Sequence, residues 1–360
     1  MTRSSAVPAA QTSKRTGAIR ALLAAVLFGA STPASKALLG DVQPQMLAGL
    51  LYLGSGAGLG LLWMVRRNQH GGVEAPLTKA DVPWLAGAIL FGGVLAPLAV
   101  LMGLNQTPAS ASALLLNLEA VFTALIAWIV FSENVDRRIA LGMIAIVAGG
   151  ALLSWHGRLA WGGAMGPLLI ALGCLFWGID NNLSQKVSAK DPVQITAIKG
   201  AVAGLVNLSF SVMAGGGSPK IVYVASSLAV GLLCYGLSLV LYVLAMRELG
   251  TARTGAYFSL APFVGAAVSL LVWHDKVTLP FFIAGALMAF GLWLHLTERH
   301  QHSHVHEPLT HTHRHVHDEH HQHEHVTGEI AEGGHTHEHT HEPLTHSHEH
   351  FPDIHHRHTH

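Results

Sequence analysis

The stretch NLEAVFTALIAWIVFSE, residues 117–133, recurs in related form as SLAPFVGAAVSLLVWHD, residues 259–275, which begins 142 residues further along the chain. Both copies begin with a polar residue, continue as a long apolar run and end in an acid, Glu133 in the first and Asp275 in the second. Self-similarity at a fixed separation indicates that one structural unit has been duplicated. The chain is therefore predicted to consist of two related halves.

Further matches extend the repeat in both directions from this stretch. Gly142 follows the first copy at nearly the distance at which Gly285 follows the second. Near the start of each half, Phe28-Gly29 corresponds to Trp177-Gly178. These matches extend the repeat across most of the chain. They favour duplication over a chance similarity between two apolar segments.

Long apolar runs fill both halves. A helix needs about 20 predominantly apolar residues to cross a bilayer, and links containing Gly and Pro separate the runs in this sequence. Because lipid-exposed backbone must satisfy its own hydrogen bonds, such a pattern predicts an all-α membrane protein. Ten spans are predicted, at about residues 18–38, 44–65, 84–104, 108–131, 138–155, 165–187, 193–214, 222–245, 252–273 and 279–297.

The charge distribution divides the chain into a body and a tail. Only 12% of the 360 residues are charged, against about 25% in a soluble domain. The net charge of zero is a cancellation, because residues 1–297 carry +8 and residues 298–360 carry −8. These numbers exclude a soluble domain and argue against a nucleic-acid binder, so the lipid bilayer is the first expected partner.

The arrangement of spans predicts the domains and their orientation. We expect a cytoplasmic extension over residues 1–17, five-helix repeats over 18–156 and 165–297, and a polar tail over 298–360. Since each repeat has an odd number of spans, the two copies must be inverted in the membrane. Thirteen Lys and Arg residues fall on the N-terminal side of the bundle against four on the other, which predicts a plasma (inner) membrane protein with both termini in the cytoplasm.

Two segments carry a family resemblance. Residues 107–133 open with Thr107-Pro108-Ala109, and residues 250–275 open with Gly250-Thr251-Ala252. With the repeat around them, these segments resemble the paired EamA domains of the drug/metabolite transporter superfamily over about residues 18–297. The resemblance implies secondary transport of small molecules, usually efflux by alternating access, and no enzymatic activity. Because members differ widely in substrate, the fold does not name the cargo.

Polar side chains interrupt two of the spans. Glu119 lies near the middle of the fourth span with Asn117 just before it, and Asp180, Asn181 and Asn182 lie together in the sixth. Ionisable groups at membrane depth are costly and tend to mark a transport pathway. No ATP-binding P-loop motif occurs in the sequence, so an ion gradient is the expected energy source. We predict that these residues bind the substrate or the coupling proton; the alternative is that they only fix helix packing.

Three further features of the spans leave alternatives open. Lys199, deep in the seventh span, could balance Asp180 or Glu119, but an extension of its side chain to the cytoplasmic interface is the favoured interpretation. Pro33 predicts a kink or a break in the first span, and Pro97 predicts one in the third. The glycine-rich run Gly54–Gly60 predicts close helix packing, with a homodimer as an open alternative.

Histidine dominates the tail, where 23 of the 27 histidines fall and large aliphatic residues are rare. Such a segment cannot bury a core and is predicted to be disordered without a ligand. A twelve-residue unit beginning at His304 recurs 35 residues later at His339. Neutral imidazole, with an unperturbed pKa of about 6.5, binds divalent transition metals such as Ni, Co and Zn. The predicted metal ligands are His302, His304, His306, His311, His313, His315, His317, His320, His321, His323, His325, His335, His337, His339, His341, His346, His348 and His350.

Two functions fit these features, and no tightly bound cofactor is expected for either. The first is a proton-coupled exporter of a divalent transition metal (Ni, Co or Zn), with the tail collecting the ion at the cytoplasmic mouth. The second is an exporter of a small organic metabolite or amino acid, with the tail as a metal sensor or buffer. The lack of a His or Cys cluster inside the spans is the main argument against the first.

Overall fold

The structure, a computed structural model, describes residues 7–70, 77–131, 137–154, 161–187, 190–249, 251–275 and 277–297 of the body, and residues 301–306, 309–315, 335–341 and 344–349 of the tail. Within these ranges, nine helices are long and apolar enough to cross a membrane. A shorter apolar helix, Ala261–Trp273, forms the tenth crossing together with the helix that precedes it. The predicted all-α membrane fold is confirmed.

The ten crossings are numbered here as spans 1 to 10, with spans 1–5 in the first repeat and spans 6–10 in the second. Several spans consist of consecutive helical segments. The bounds are span 1, Val7–Leu38; span 2, Pro44–His70; span 3, Val82–Ala88, Ile89–Leu95 and Ala96–Gln106; span 4, Ala109–Leu115 and Leu118–Phe131; span 5, Arg137–Ser154; span 6, Trp161–Gln185; span 7, Pro192–Met213; span 8, Ile221–Val230, Gly231–Leu237 and Ser238–Leu249; span 9, Thr251–Phe258 and Ala261–Trp273; and span 10, Leu279–Leu296.

The helix of span 1 begins earlier than the sequence predicts. It starts at Val7, so the described part of the predicted extension over residues 1–17 is helical and continues directly into the span. Pro8 fits this start, because proline in the first turn of a helix loses no hydrogen bond.

The two repeats carry the same irregularities at matching positions. Spans 3 and 8 each contain a π-helical segment, Ile89–Leu95 and Gly231–Leu237, which begin 142 residues apart. Spans 4 and 9 are each interrupted by two residues, 116–117 in the first repeat and 259–260 in the second. Discontinuous helices in corresponding positions of two halves are typical of transporters, because they open backbone groups near the substrate site.

The packing of the spans is symmetric under exchange of the repeats. Span 2 packs on span 7 and span 5 on span 10, span 1 contacts spans 8 and 9, and span 6 contacts spans 3 and 4. Glycines permit the closest approaches at matching positions. A β carbon on Gly29 would lie 2.5 Å from the carbonyl oxygen of Ala261 in span 9, and one on Gly178 would lie 3.0 Å from the backbone of Phe122 in span 4.

The glycine-rich run of span 2 packs inside the chain. A β carbon on Gly56 would lie 2.2 Å from the backbone nitrogen of Ala201 in span 7. The predicted close helix packing is confirmed for this contact, whereas the homodimer stays a prediction.

The tail contains four described strands, β1 (Gln301–His306), β2 (Leu309–His315), β3 (His335–His341) and β4 (Leu344–Glu349). β1 pairs antiparallel with β4, and β2 pairs antiparallel with β3. The sequence predicts disorder for the whole tail; these four segments pair as strands, and the rest of the tail lies outside the described residues. Alternation of His with another residue has the period of two that suits a strand, and the 35-residue repeat gives each strand a partner of similar sequence.

Candidate functional site

Asp180 of span 6 forms an ion pair with Lys199 of span 7. Ser184, one turn along span 6, donates its hydroxyl to the other oxygen of Asp180 at 2.9 Å. The prediction that Lys199 reaches to the interface was wrong. Asp180 lies five residues before the end of span 6, and Lys199 seven residues after the start of span 7. With a rise of 1.5 Å per residue, both are about 8–10 Å from the same end of the bundle. The ammonium group of Lys199 is therefore nearer to the carboxylate of Asp180 than to the interface.

The π-helical segment of span 3 packs against Asp180. A β carbon on Gly92 would lie 1.9 Å from the Oδ2 atom of Asp180, so a residue without a side chain is required for this contact. The carbonyl oxygen of Gly92 accepts hydrogen bonds from the hydroxyl of Tyr52 at 2.6 Å and from the indole nitrogen of Trp177 at 3.2 Å. Spans 2, 3 and 6 are thereby joined beside the ion pair.

The same segment shows the effect of Pro97. Proline has no N–H and cannot continue the hydrogen-bond ladder of the helix, and the π-helical segment ends two residues before it. The carbonyl of Gly93, four residues before Pro97, accepts a hydrogen bond from the side chain of Asn207 at 3.0 Å. Pro97 thus distorts span 3 without ending its helix, which continues from Val82 to Gln106, and a side chain of span 7 satisfies the backbone there. No break occurs at Pro33, which lies within the continuous helix Val7–Leu38.

Glu119 of span 4 faces span 6 from the other side. The side-chain amide of Asn181 donates to Glu119 at 2.8 Å and to the hydroxyl of Thr123 at 3.1 Å. Electrostatic interactions link Glu119 with both Asp180 and Lys199. Glu119 and Asn181, two of the five predicted pathway residues, are therefore bonded across spans 4 and 6, and Asp180, a third, is paired with span 7.

The other two predicted residues bind backbone carbonyls. Asn117, buried at the interruption of span 4, donates to the carbonyl of Leu114 at 2.8 Å. Asn182, also buried, donates to the carbonyls of Gly178 at 2.8 Å and Thr123 at 3.1 Å. These bonds satisfy backbone groups where helices are interrupted or cross closely, which suits a packing role; a role in the pathway stays a prediction for both.

A chain of aromatic rings adjoins the acids at the junction of the two repeats. The ring centroids of Tyr52 and Tyr235 are 5.8 Å apart, those of Tyr235 and Phe28 are 5.9 Å apart, and those of Phe28 and Phe258 are 5.4 Å apart. Tyr242 extends the chain, 4.9 Å from Phe258. These rings come from spans 1, 2, 8 and 9, and Tyr52 bonds with the carbonyl of Gly92, which packs against Asp180.

The sequence indicated some of these partners and missed others. Gly92, Gly93 and Pro97 together signal an irregular helix, although the contact of Gly92 with Asp180 depends on how spans 3 and 6 pack. The contributions of Tyr52 and Asn207 have no local signal, because each acts on the backbone of a distant span.

The body and the tail of the chain differ in the metal ligands that they offer. Among the side chains that the structure describes, no group of three or more His, Cys, Asp and Glu could hold a metal ion. In the tail, the strand register sets histidine opposite histidine at five positions: His302 with His348, His304 with His346, His311 with His339, His313 with His337, and His315 with His335. Of the predicted ligands, His317, His320, His321, His323, His325 and His350 lie outside the described residues.

Comparison with known proteins adds a family and a fold. The sequence pattern of the EamA-like transporter family matches the chain twice, at residues 15–155 and 164–297. An uncharacterized transporter of Methanothermobacter thermautotrophicus is 27% identical over 295 residues, which cover 77% of this chain and 85% of that protein. One of Archaeoglobus fulgidus is 24% identical over 207 residues, covering 56% and 71% of the two chains. A solved crystal structure with 16% identity superposes with a TM-score of 0.57 over 79% of this chain and 95% of the other, a similarity of fold.

Proposed function

The chain belongs to the EamA-like transporter family, and from that premise we propose that it is a proton-coupled exporter of a divalent transition metal, Ni, Co or Zn. The histidine-rich tail collects the ion, and the carboxylates of the body pass it across the membrane. In this proposal the protein lies in the plasma (inner) membrane with both termini in the cytoplasm, as the distribution of Lys and Arg indicates.

The composition of the tail is the observation that carries the proposal. Residues 298–360 hold 23 histidines and a net charge of −8, and neutral imidazole is a ligand that suits these metals. The register of the strands supports this role, because opposed histidines offer ligands from both strands. β1 begins five residues after the end of span 10, which at about 3.5 Å per residue keeps it within about 18 Å of the bundle.

The two carboxylates of the body have different partners, and this difference suggests different tasks. Asp180 is paired with a cation, so another cation can replace that partner and become the cargo. Glu119 receives its hydrogen bond from a neutral amide. Even partial burial, as at Glu119, disfavours the charged form of a carboxyl group, and a neutral amide offsets this less than the cation beside Asp180 does, so Glu119 is the better candidate for the coupling proton. Export of the metal and entry of the proton then use neighbouring groups.

The aromatic rings favour a second candidate function, export of a small organic metabolite or amino acid. Tyr52, Tyr235, Phe28, Phe258 and Tyr242 present apolar and weakly polar surface beside the acids, as sites for organic molecules usually do. An amino group of such a substrate could replace Lys199 at Asp180. In this case the tail buffers or senses metal and takes no part in the transport itself.

A panel of cell contents separates the two candidates. Cells with and without the protein are loaded with Ni, Co or Zn, and their metals and their small organic solutes are measured together. The proposal expects a lower content of at least one of the three metals in cells that contain the protein. Unchanged metal contents together with the loss of one organic solute would refute metal export and support the second candidate.

A further inference from the structure

The ion pair between Asp180 and Lys199 lies inside the membrane bundle. The side chain of Asp180 is 7% exposed and that of Lys199 17%. Asp180 is further enclosed by Gly92 of span 3 and hydrogen-bonded by Ser184. The carboxylate at the centre of the candidate site is therefore already neutralised by a residue of the protein itself.

We propose that Lys199 is a tethered counter-ion, which neutralises Asp180 while the carrier holds no metal and is displaced when the cargo cation binds. This inference rests on the proposed function, because it takes Asp180 as the carboxylate that receives a cation. Lys199 thereby has a role in the transport cycle, although binding of the cargo does not itself require a lysine.

The physical reason concerns the step in which the carrier returns without metal. In the proposed cycle the carrier returns with the proton on Glu119, and an unpaired carboxylate of Asp180 at membrane depth would make that step costly. With Lys199 in place the site returns as a neutral ion pair. A divalent cation and an ammonium group repel each other on one carboxylate, so binding of the cargo and release of Lys199 are coupled.

The position of Lys199 allows such a displacement. It lies seven residues after the start of span 7, about 10 Å along the helix axis. A lysine side chain can bury its methylene groups against apolar helices while its ammonium group reaches towards water. In the metal-free state the ammonium group lies at Asp180. In the loaded state it extends to the cytoplasmic interface, which is the position that the sequence favoured.

The test compares two modes of flux in vesicles that contain the full-length protein and radioactive Ni²⁺. Net flux requires return of the metal-free carrier, whereas exchange of Ni²⁺ for Ni²⁺ does not. Lys199→Gln is expected to lower net flux about tenfold or more while exchange stays within about twofold. Lys199→Arg, which keeps the charge, should restore net flux. Lys220→Gln, at an exposed lysine before span 8, is the matched control and should leave both modes unchanged.

The outcomes distinguish the inference from the function on which it rests. Wild-type protein that moves no Ni²⁺ in either mode overturns the proposed function and the inference with it. Active wild-type protein with equal losses of both modes in Lys199→Gln overturns the inference alone. Should Lys199→Gln not fold, acylation of Lys199 in the wild-type protein decides: Ni²⁺ is expected to accelerate its modification, measured by mass spectrometry, and an unchanged rate overturns the inference.

Discussion

Asp275, two residues beyond the end of span 9, caps the start of span 4 through Ser110: its Oδ2 atom accepts hydrogen bonds from the backbone N–H at 3.0 Å and from the hydroxyl at 2.7 Å. The bond joins the two repeats at the end of the bundle that the charge bias assigns to the outside. Lys36 of span 1 binds the terminal carbonyls of span 3 at the same end and interacts electrostatically with Asp275. An outward-facing state must separate these groups.

Removal of the Asp275 carboxylate should therefore favour opening to the outside. Loss of a helix cap costs about 1 kcal/mol, which corresponds to about a fivefold change in an equilibrium. A cysteine introduced at the buried Ser112 should react about fivefold faster with an impermeant maleimide in Asp275→Ala. In Asp275→Asn, which keeps an oxygen that accepts the bonds, the cysteine should react at nearly the same rate as in the protein with Asp275. Equal rates in all three proteins would show that the bond does not hold the outer end closed.

Gly92 should be required for transport. A methyl group there would enter the space of the Asp180 carboxylate, since a β carbon lies 1.9 Å from Oδ2, and overpacking costs about 1–3 kcal/mol. Gly92→Ala is expected to lower the melting temperature of the purified protein and to abolish transport. Gly60→Ala is the matched control, because a β carbon on Gly60 meets nothing within 4 Å. Normal transport by Gly92→Ala would show that the contact with Asp180 does not matter.

Much of the architecture could be predicted because it depends on composition over long windows. Apolar runs give the spans, and the match between residues 117–133 and 259–275 gives the repeat. The π-helical segments and the interruptions at 116–117 and 259–260 are changes of hydrogen-bond register, to which average hydropathy is insensitive. Prolines mark two of these positions, since Pro97 follows the π-helical segment of span 3 and Pro262 follows the interruption of span 9.

The candidate site could be predicted only in part. Asp180 and Glu119 stand out because a charge in an apolar run is conspicuous, but their partners depend on how the helices rotate against each other. Lys199 is 19 residues from Asp180 along the chain, and either direction of its side chain suits the sequence. In the tail, the composition predicted disorder, although the alternation of histidine has the period of two that suits a strand.

Asp180→Asn should abolish the lowering of cell metal content that the proposal expects. The variant keeps the shape of the side chain and its contact with Ser184 but removes the charge that a cation replaces. Deletion of residues 298–360 should only weaken the effect, because the tail supplies ions and does not form the path. Both are measured by the metal content of cells after loading with Ni or Co. Full activity of Asp180→Asn would exclude Asp180 from the pathway.

Glu119→Gln should separate transport from the proton gradient. The neutral amide can still bond with Asn181, which now donates to Glu119 at 2.8 Å, so the fold and the cargo site should be retained. Wild-type vesicles should export faster when the side that receives the metal is made more acidic, because protons enter as metal leaves. In Glu119→Gln this acceleration should vanish while Ni²⁺ exchange persists. An unaltered response to the gradient would remove the role assigned to Glu119.

Histidines that oppose each other in the tail should bind metal jointly. His304 of β1 is the register partner of His346 of β4, whereas His339 belongs to the other ladder. Groups that share one ligand show coupling energies of about 0.5–3 kcal/mol, so His304→Ala and His346→Ala should be non-additive in Ni²⁺ affinity. The affinities are measured by titration calorimetry of the solubilised full-length protein.

The control for this cycle combines His304→Ala with His339→Ala. These positions lie in different ladders, so the two losses of affinity should add within about 0.5 kcal/mol. Both double variants replace two histidines of the tail by alanine. General effects of lost histidines on charge or solubility are therefore the same in the two and cancel in the comparison. Additivity in both combinations would mean that the tail binds metal as an array of independent imidazoles and that the strand pairing does not organise its sites.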